Sequence, residues 1–168
     1  MSRGTLSGGD RGTKRTLDIM RDLAIEGSKQ IEVRDAAVSA LRTYGAREHD
    51  HRAQLAALYR FVRDRIMFVN DMLGVEMLQG PRKTLEALAG DCDDRATLLV
   101  ALARSVGIPA DLRFKVIGAD RARPGRFSHV YVTARMRSGE TIAMDPTYHS
   151  NRFGAEFSHP SRVAEVPA

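Results

Sequence analysis

Gly90-Asp91-Cys92-Asp93-Asp94-Arg95-Ala96-Thr97-Leu98-Leu99-Val100-Ala101-Leu102-Ala103-Arg104-Ser105-Val106-Gly107-Ile108-Pro109 is the stretch from which the fold is read. From Ala96 to Val106 it predicts a helix, closed by Gly107 and Pro109. Leu98, Leu99, Ala101, Leu102 and Val106 leave only a narrow polar strip around Arg95 and Arg104. A helix apolar on most sides belongs in the middle of a domain rather than on its surface. Cys92 sits in its first turn or at its cap, among three aspartates.

Upstream of this stretch the apolar period is helical. Leu17, Met20, Leu23 and Ala24 mark a first helix stopped by Gly27, and Val33, Ala37, Ala40 and Leu41 mark a second before Gly45. Leu55, Leu58, Tyr59, Val62 and Ile66 line one face of a third. Residues 68–88 are less regular, with one or two helical turns expected from Thr84 to Leu88. Downstream the period falls to two. Leu112, Phe114 and Val116 alternate with Arg113 and Lys115, followed by strand patterns at Phe127 to Arg135 and Thr141 to Asp145. Helices first and a small antiparallel sheet afterwards give an α+β layout, the Cys-bearing helix packed on the sheet. Residues 1–14 read as a flexible arm, 15–148 as the domain and 149–168 as an irregular tail.

The chain has 168 residues, enough for one domain with one sizeable core, and its 43% hydrophobic and 28% charged content is that of a globular protein. The net charge is +5, but the arginines are scattered among Asp and Glu, as on a solvated surface. With no zinc-finger spacing, basic helix or aromatic RNA-binding motif, nucleic acid is not an expected partner. No apolar run is long enough to cross a bilayer, and the start of the chain lacks the apolar core of a secretory signal. A membrane partner and secretion by a signal peptide are therefore not expected. The single cysteine forms neither an intrachain disulfide nor a multi-cysteine metal site. No glycine-rich phosphate loop is present, so neither a nucleotide nor a redox cofactor is expected to be required.

Chemistry concentrates on three residues. At a helix N-terminus Cys92 meets free N–H groups and the positive end of the helix dipole, which favour a thiolate and can receive a developing oxyanion. On the second strand Val130, Val132 and Ala134 point one way, so His129, Tyr131 and Thr133 point the other. On the third strand Ile142 and Met144 share the apolar face and Asp145 lies opposite. Register decides whether His129 meets Asp145. A two-residue turn at Ser138-Gly139 pairs Asp145 with Val132 and separates them. A three-residue loop, Arg137-Ser138-Gly139 with Gly139 left-handed, pairs Met136 with Glu140 and Tyr131 with Asp145. His129 then lies diagonal to Asp145, within reach. The three-residue loop, or an equivalent bulge, is the expected one. A thiol, an imidazole and an orienting carboxylate are the parts of an activated nucleophile for acyl transfer.

Gly90-Asp91-Cys92-Asp93-Asp94, Leu98-Leu99, Gly107-Ile108-Pro109-Ala110, Phe127-Ser128-His129-Val130-Tyr131-Val132 and Met144-Asp145-Pro146-Thr147 together resemble the transglutaminase-like superfamily, in order and spacing. The resemblance covers roughly residues 59–148. Gly74-Val75-Glu76-Met77-Leu78-Gln79-Gly80-Pro81 with Thr84-Leu85 resembles the version of the domain found in tailed phages and prophages. The resemblance implies Cys92 as nucleophile, His129 as general base and acid, and Asp145 as orienting residue. It also implies a protein or peptide substrate, phage structural proteins as further partners, and a location in the bacterial cytoplasm or on the virion. Unlike many relatives the chain has no Trp before the Asp-Pro-Thr motif, which leaves the cleft wall open but not the triad.

Three expectations are subordinate. Besides the Cys92 backbone, Gln79 is a candidate side-chain oxyanion donor, as a Gln is in papain-like enzymes, although its spacing from Cys92 lends little support. Asp91, Asp93 and Asp94 raise the cost of a Cys92 thiolate. Pairing with Arg95, Arg82 or Lys83 relieves this; a bound Ca²⁺ does so too, as the resemblance to calcium-dependent bacterial transglutaminase-like proteases suggests. Glu48-His49-Asp50-His51 reads as helix capping with incidental His rather than as a metal site. Two functions compete: an enzyme acting on amide bonds through an acyl-Cys92 intermediate, by hydrolysis or cross-linking, and a non-catalytic assembly component of a phage particle.

Overall fold

Asp91 and Asp94 start the central helix reciprocally. The Asp91 carboxylate accepts from the Asp94 N–H at 3.1 Å, and the Asp94 carboxylate accepts from the Asp91 N–H at 3.4 Å. The box starts the helix at Cys92, one turn earlier than its apolar pattern implies. The computed structural model describes residues 10–70 and 78–168; residues 74–77 of the upstream motif lie outside the described residues.

Five helices and six strands follow in order: α1 (Arg11–Gly27), α2 (Ile31–Thr43), α3 (His51–Arg65), β1 (Met67–Phe68), α4 (Pro81–Ala87), β2 (Ala89–Gly90), α5 (Cys92–Ser105), β3 (Asp111–Ile117), β4 (His129–Arg135), β5 (Thr141–Met144) and β6 (Val163–Pro167) among the described residues. All residues of α5 from Asp94 to Ala103 are buried. Helices α1 to α4 pack around it on one side and β4 on the other. This is why its sequence lacks a broad polar face. Its core partners include Met20, Ala24, Val33, Leu58, Phe114 and Val132. Asp50 caps α3 by accepting from the Ala53 N–H at 3.0 Å, so the acidic stretch before α3 acts as a cap as read.

The main sheet is antiparallel with strand order β5-β4-β3-β6. The β4–β5 hairpin has the register the facing pattern demands. Val132 pairs with Met144 and Arg135 with Thr141, the Met136 N–H donates to the Glu140 carbonyl at 2.8 Å, and Gly139 has φ +90°. A left-handed residue there turns the chain within three residues, and glycine takes that conformation without a Cβ clash.

Two boundaries differ from expectation. Residues 11–14, expected in the arm, form the first turn of α1. Within 149–168, expected to be irregular, Val163–Pro167 forms an edge strand with Val116 opposite Ala164 and Phe114 opposite Val166. A five-residue strand ending in proline has too little alternation to announce itself, and pairing with a distant strand selects it. A second, two-stranded parallel ladder, Met67 with Ala89 and Phe68 with Gly90, ties the exit of α3 to the entry of α5.

Candidate active site

The first residues of α5 and β4 open on one cavity of about 1080 Å³, and the residue just after β5, Asp145, is bonded to the second of them without lining the cavity itself. Cys92 and His129 line it. Across the hairpin the His129 Nε2 lies 2.8 Å from Asp145 Oδ2, the diagonal contact that the three-residue loop makes available. Both side chains are nearly buried, 11% and 12% exposed. An ionised carboxylate only accepts, so Nε2 carries the proton, and in the neutral imidazole Nδ1 is then the nitrogen with the lone pair.

Asp145 is held from three sides. Its Oδ1 accepts from the Thr147 N–H at 3.1 Å, and its backbone carbonyl accepts from Asn151 Nδ2 at 3.2 Å. Burial pushes its carboxyl up, but the His129 hydrogen bond and charge, with the hydrogen bonds of Thr147, outweigh burial and hold it below the usual carboxylate value.

Cys92 is a resting thiol. Burial raises its pKa most, with the charges of Asp93 and Asp91 adding to it, and the Val130 N–H donating towards the sulfur opposes them. The thiol donates to Asp93 Oδ1 at 3.5 Å. No hydrogen bond joins it to His129 in this conformation; the Val130 contact nonetheless sets the sulfur beside the residue after His129. The Cys92 N–H is the first of the helix, where α5 itself offers no carbonyl one turn back.

Other residues read as functional go elsewhere. Gln79 gives its backbone N–H and its side-chain Nε2 to the two Asp94 oxygens, at 2.7 and 2.9 Å, so its amide braces the α5 cap and is not among the residues lining the cavity. Arg95 and Arg82, two of the expected partners of the aspartates, bond elsewhere. Arg95 bonds backbone carbonyls, and Arg82 pairs with Glu86 and Glu32. Both Asp94 oxygens accept N–H groups, and no group of three or more Asp, Glu, His or Cys among the described residues is placed to hold a metal.

Arg95 is the contribution that sequence reading passed over. It is 2% exposed and donates to the Thr147 carbonyl at 2.6 Å and to the Val62 and Arg63 carbonyls at 3.1 and 3.0 Å. It joins the end of α3 to the turn after Asp145. Burial lowers its pKa, and the nearby Asp145 charge opposes that. The signal in the sequence was a charge on the first turn of an otherwise apolar helix. The missing Trp leaves an aromatic pair at the cavity mouth, Phe68 and Tyr148, with ring centroids 5.4 Å apart.

Residues 38–146 match the model of the transglutaminase-like superfamily, centred on this helix–hairpin unit. The chain belongs to that superfamily. No curated protein matches its sequence. Among solved structures it is similar to a candidate cysteine protease of Cytophaga hutchinsonii, 21% identical, with a TM-score of 0.50 over 68% of this chain and 37% of that one. It is also similar to LapG of Legionella pneumophila, 13% identical, with a TM-score of 0.51 over 87% and 76%. A candidate protease of Parabacteroides distasonis gives 0.50 at 12% identity, over 73% and 25%. The chain thus spans well under half of two of these relatives, and at such identities the likeness is one of fold. Among the described residues no helix is long and apolar enough to cross a membrane.

Proposed function

We propose that this transglutaminase-like domain is a cysteine-dependent acyl-transfer enzyme acting on peptide amide bonds, with Cys92 as nucleophile, His129 as base and acid, and Asp145 orienting the imidazole. The observation that carries the reading is the 2.8 Å His129–Asp145 bond on the same cavity as a thiol at a helix N-terminus. Because Nε2 holds Asp145, Nδ1 is the atom left to take the thiol proton. As it does so, Cys92 Sγ adds to the substrate carbonyl, and the oxygen turns to the Cys92 N–H. The imidazolium, stabilised by Asp145, returns the proton to the departing amine as the C–N bond breaks, leaving a thioester. Water, deprotonated by the same imidazole, releases the acid; a lysine amine in its place gives a cross-link. Water is the simpler acceptor for a domain of this size, since cross-linking also needs an amine site shielded from it.

The resting thiol fits this order of events. With burial and two carboxylates holding Cys92 protonated, attack requires the proton to leave with it. The same observation favours the second reading, a non-catalytic particle component in which Cys92 stays inert. The upstream motif, which resembles that of phage and prophage versions of the domain, suits that role. Alkylation by iodoacetamide at pH 7 separates the two. In the enzyme His129→Ala should slow Cys92 labelling by about a hundredfold, the usual size of a general-base contribution. Equal labelling of wild type and His129→Ala supports the inert reading.

A further inference from the structure

The catalytic cavity has a wall that does not come from the family segment. The matched residues end at 146 and begin at 38, yet Asp10, Thr13 and Thr16 of the first turns of α1, and Arg162, line the same cavity as Cys92. One side chain assembles that wall. The Arg162 backbone is fixed on the sheet edge, its carbonyl accepting from the Gly118 N–H at 3.0 Å. Its guanidinium reaches Asp10 with Nη1 at 3.0 Å and Nη2 at 2.7 Å, a two-point grip that a planar fork makes and an ammonium cannot. The same group donates to the Gly125 carbonyl at 2.7 Å and lies 4.2 Å from the centre of the Phe127 ring. Arg162 thereby clasps three separate pieces: the start of α1, the loop leading to His129, and the approach to β6.

Inside the clasp the surfaces differ in kind. The first turns of α1 are small and hydroxylic, with Thr13 and Thr16, while the deeper floor is apolar, formed by Leu17 and Met20 of the same helix with Val116 and Val130 of the sheet. His129 is held separately, in register with Ile117 on β3 and bonded to Asp145. Opening the clasp should therefore change what fits without moving the reacting groups.

We propose that the α1 wall clasped by Arg162 is the specificity-determining side of the cleft, and that it holds an apolar side chain of a peptide acyl donor against the floor. This rests on the acyl-transfer reading. Arg162 and Asp10 are positioning residues, and Thr16 faces the bound side chain.

The test uses two capped dipeptidyl chloromethyl ketones that differ only in the residue beside the ketone, leucine or glycine. Cys92 Sγ displaces chloride from the methylene carbon, the thiol proton is lost, and the rate is read by intact mass. Wild type should prefer leucine by about tenfold or more, the scale on which an apolar pocket discriminates. Arg162→Ala and Asp10→Asn should each cut that preference to about threefold or less, with Arg162→Lys intermediate, while iodoacetamide labelling changes by less than about twofold. Thr16→Phe, which fills the space from the α1 side and leaves the clasp intact, should slow the leucine probe about tenfold at unchanged iodoacetamide rate. It decides the matter if circular dichroism shows Arg162→Ala to be unfolded. A wild type without leucine preference, or a preference unchanged in Thr16→Phe, overturns the proposal. A failed acyl-transfer reading looks different: His129→Ala then reacts with both probes as fast as wild type.

Discussion

The two sides of the cavity are built on opposite principles. The His129–Asp145 side closes within one hairpin, its partners 16 residues apart. The Asp10–Arg162 side joins residues 152 apart in the chain. The first is rigid because every rung of β4–β5 fixes the next. The second hangs on one guanidinium, that of Arg162, which is 31% exposed. Chemistry placed on a locally determined element keeps its geometry when the surroundings vary. Recognition placed on a long-range clasp can change without disturbing it.

The largest effect expected comes from breaking the hairpin side. Asp145→Asn keeps the shape but removes the charge that orients and stabilises the imidazolium, and an amide accepts the wrong tautomer as readily. Turnover of any identified peptide substrate should fall by about a thousandfold, measured as kcat. The pH dependence of stability supplies a second reading. The folded pKa of Asp145 lies below its ordinary value, so its stabilisation is complete above the unfolded value of about 3.9 and is lost as pH falls through the folded one. Wild-type and Asp145→Asn melting temperatures should draw together as pH falls from about 4 through the folded value; a gap that does not narrow over that descent removes the His129–Asp145 bond as its cause.

Next in size is the residue that supports the turn after Asp145 on the hairpin side. Arg95→Met leaves the Thr147, Val62 and Arg63 carbonyls without their donor. The expected loss is about 3 kcal/mol, or a melting temperature lower by about 8 °C for a chain of this size. The buried Arg95 Nε has no partner, a cost that methionine removes, so the figure is reduced from the sum of three bonds. A melting temperature within 1 °C of wild type, to within about the error of such a scan, means the guanidinium is dispensable for the turn after Asp145.

The same contrast explains what the sequence disclosed. Periodicity located α1, α2, α3, α5 and the first three strands of the main sheet, because each buries a face whose repeat is written in consecutive residues. It also gave the hairpin register. Only one loop length puts Ile142 and Met144 on the core face with Val132 and Ala134, and Gly139 supplied the turn residue that length needs. Hence the meeting of His129 with Asp145 was legible. The strand β6, the role of Arg95 and the clasp were not. Each depends on partners far away in the chain, and neither Val163 nor Arg162 carries a local pattern that names its partner. Gln79 shows the converse. Its amide was a plausible oxyanion donor by type, but the Asp94 carboxylate is a stronger and nearer acceptor.

The smallest effect expected concerns the thiol itself, where the two sides meet. Asp93 accepts from the Cys92 thiol, and its charge adds to the burial that keeps the sulfur protonated. Asp93→Asn retains an acceptor oxygen and removes the charge, so the thiol pKa falls towards its ordinary value. Each unit of that fall raises the thiolate fraction about tenfold at neutral pH, while the less basic sulfur reacts about threefold more slowly. The net gain in iodoacetamide labelling is about threefold per unit, measurable by intact mass over a pH series. The sign is the informative part. Faster labelling places Asp93 as a brake on a thiol that His129 must deprotonate. Slower labelling makes Asp93 itself the group that draws the proton from sulfur, and moves the base from the hairpin to the first turn of α5.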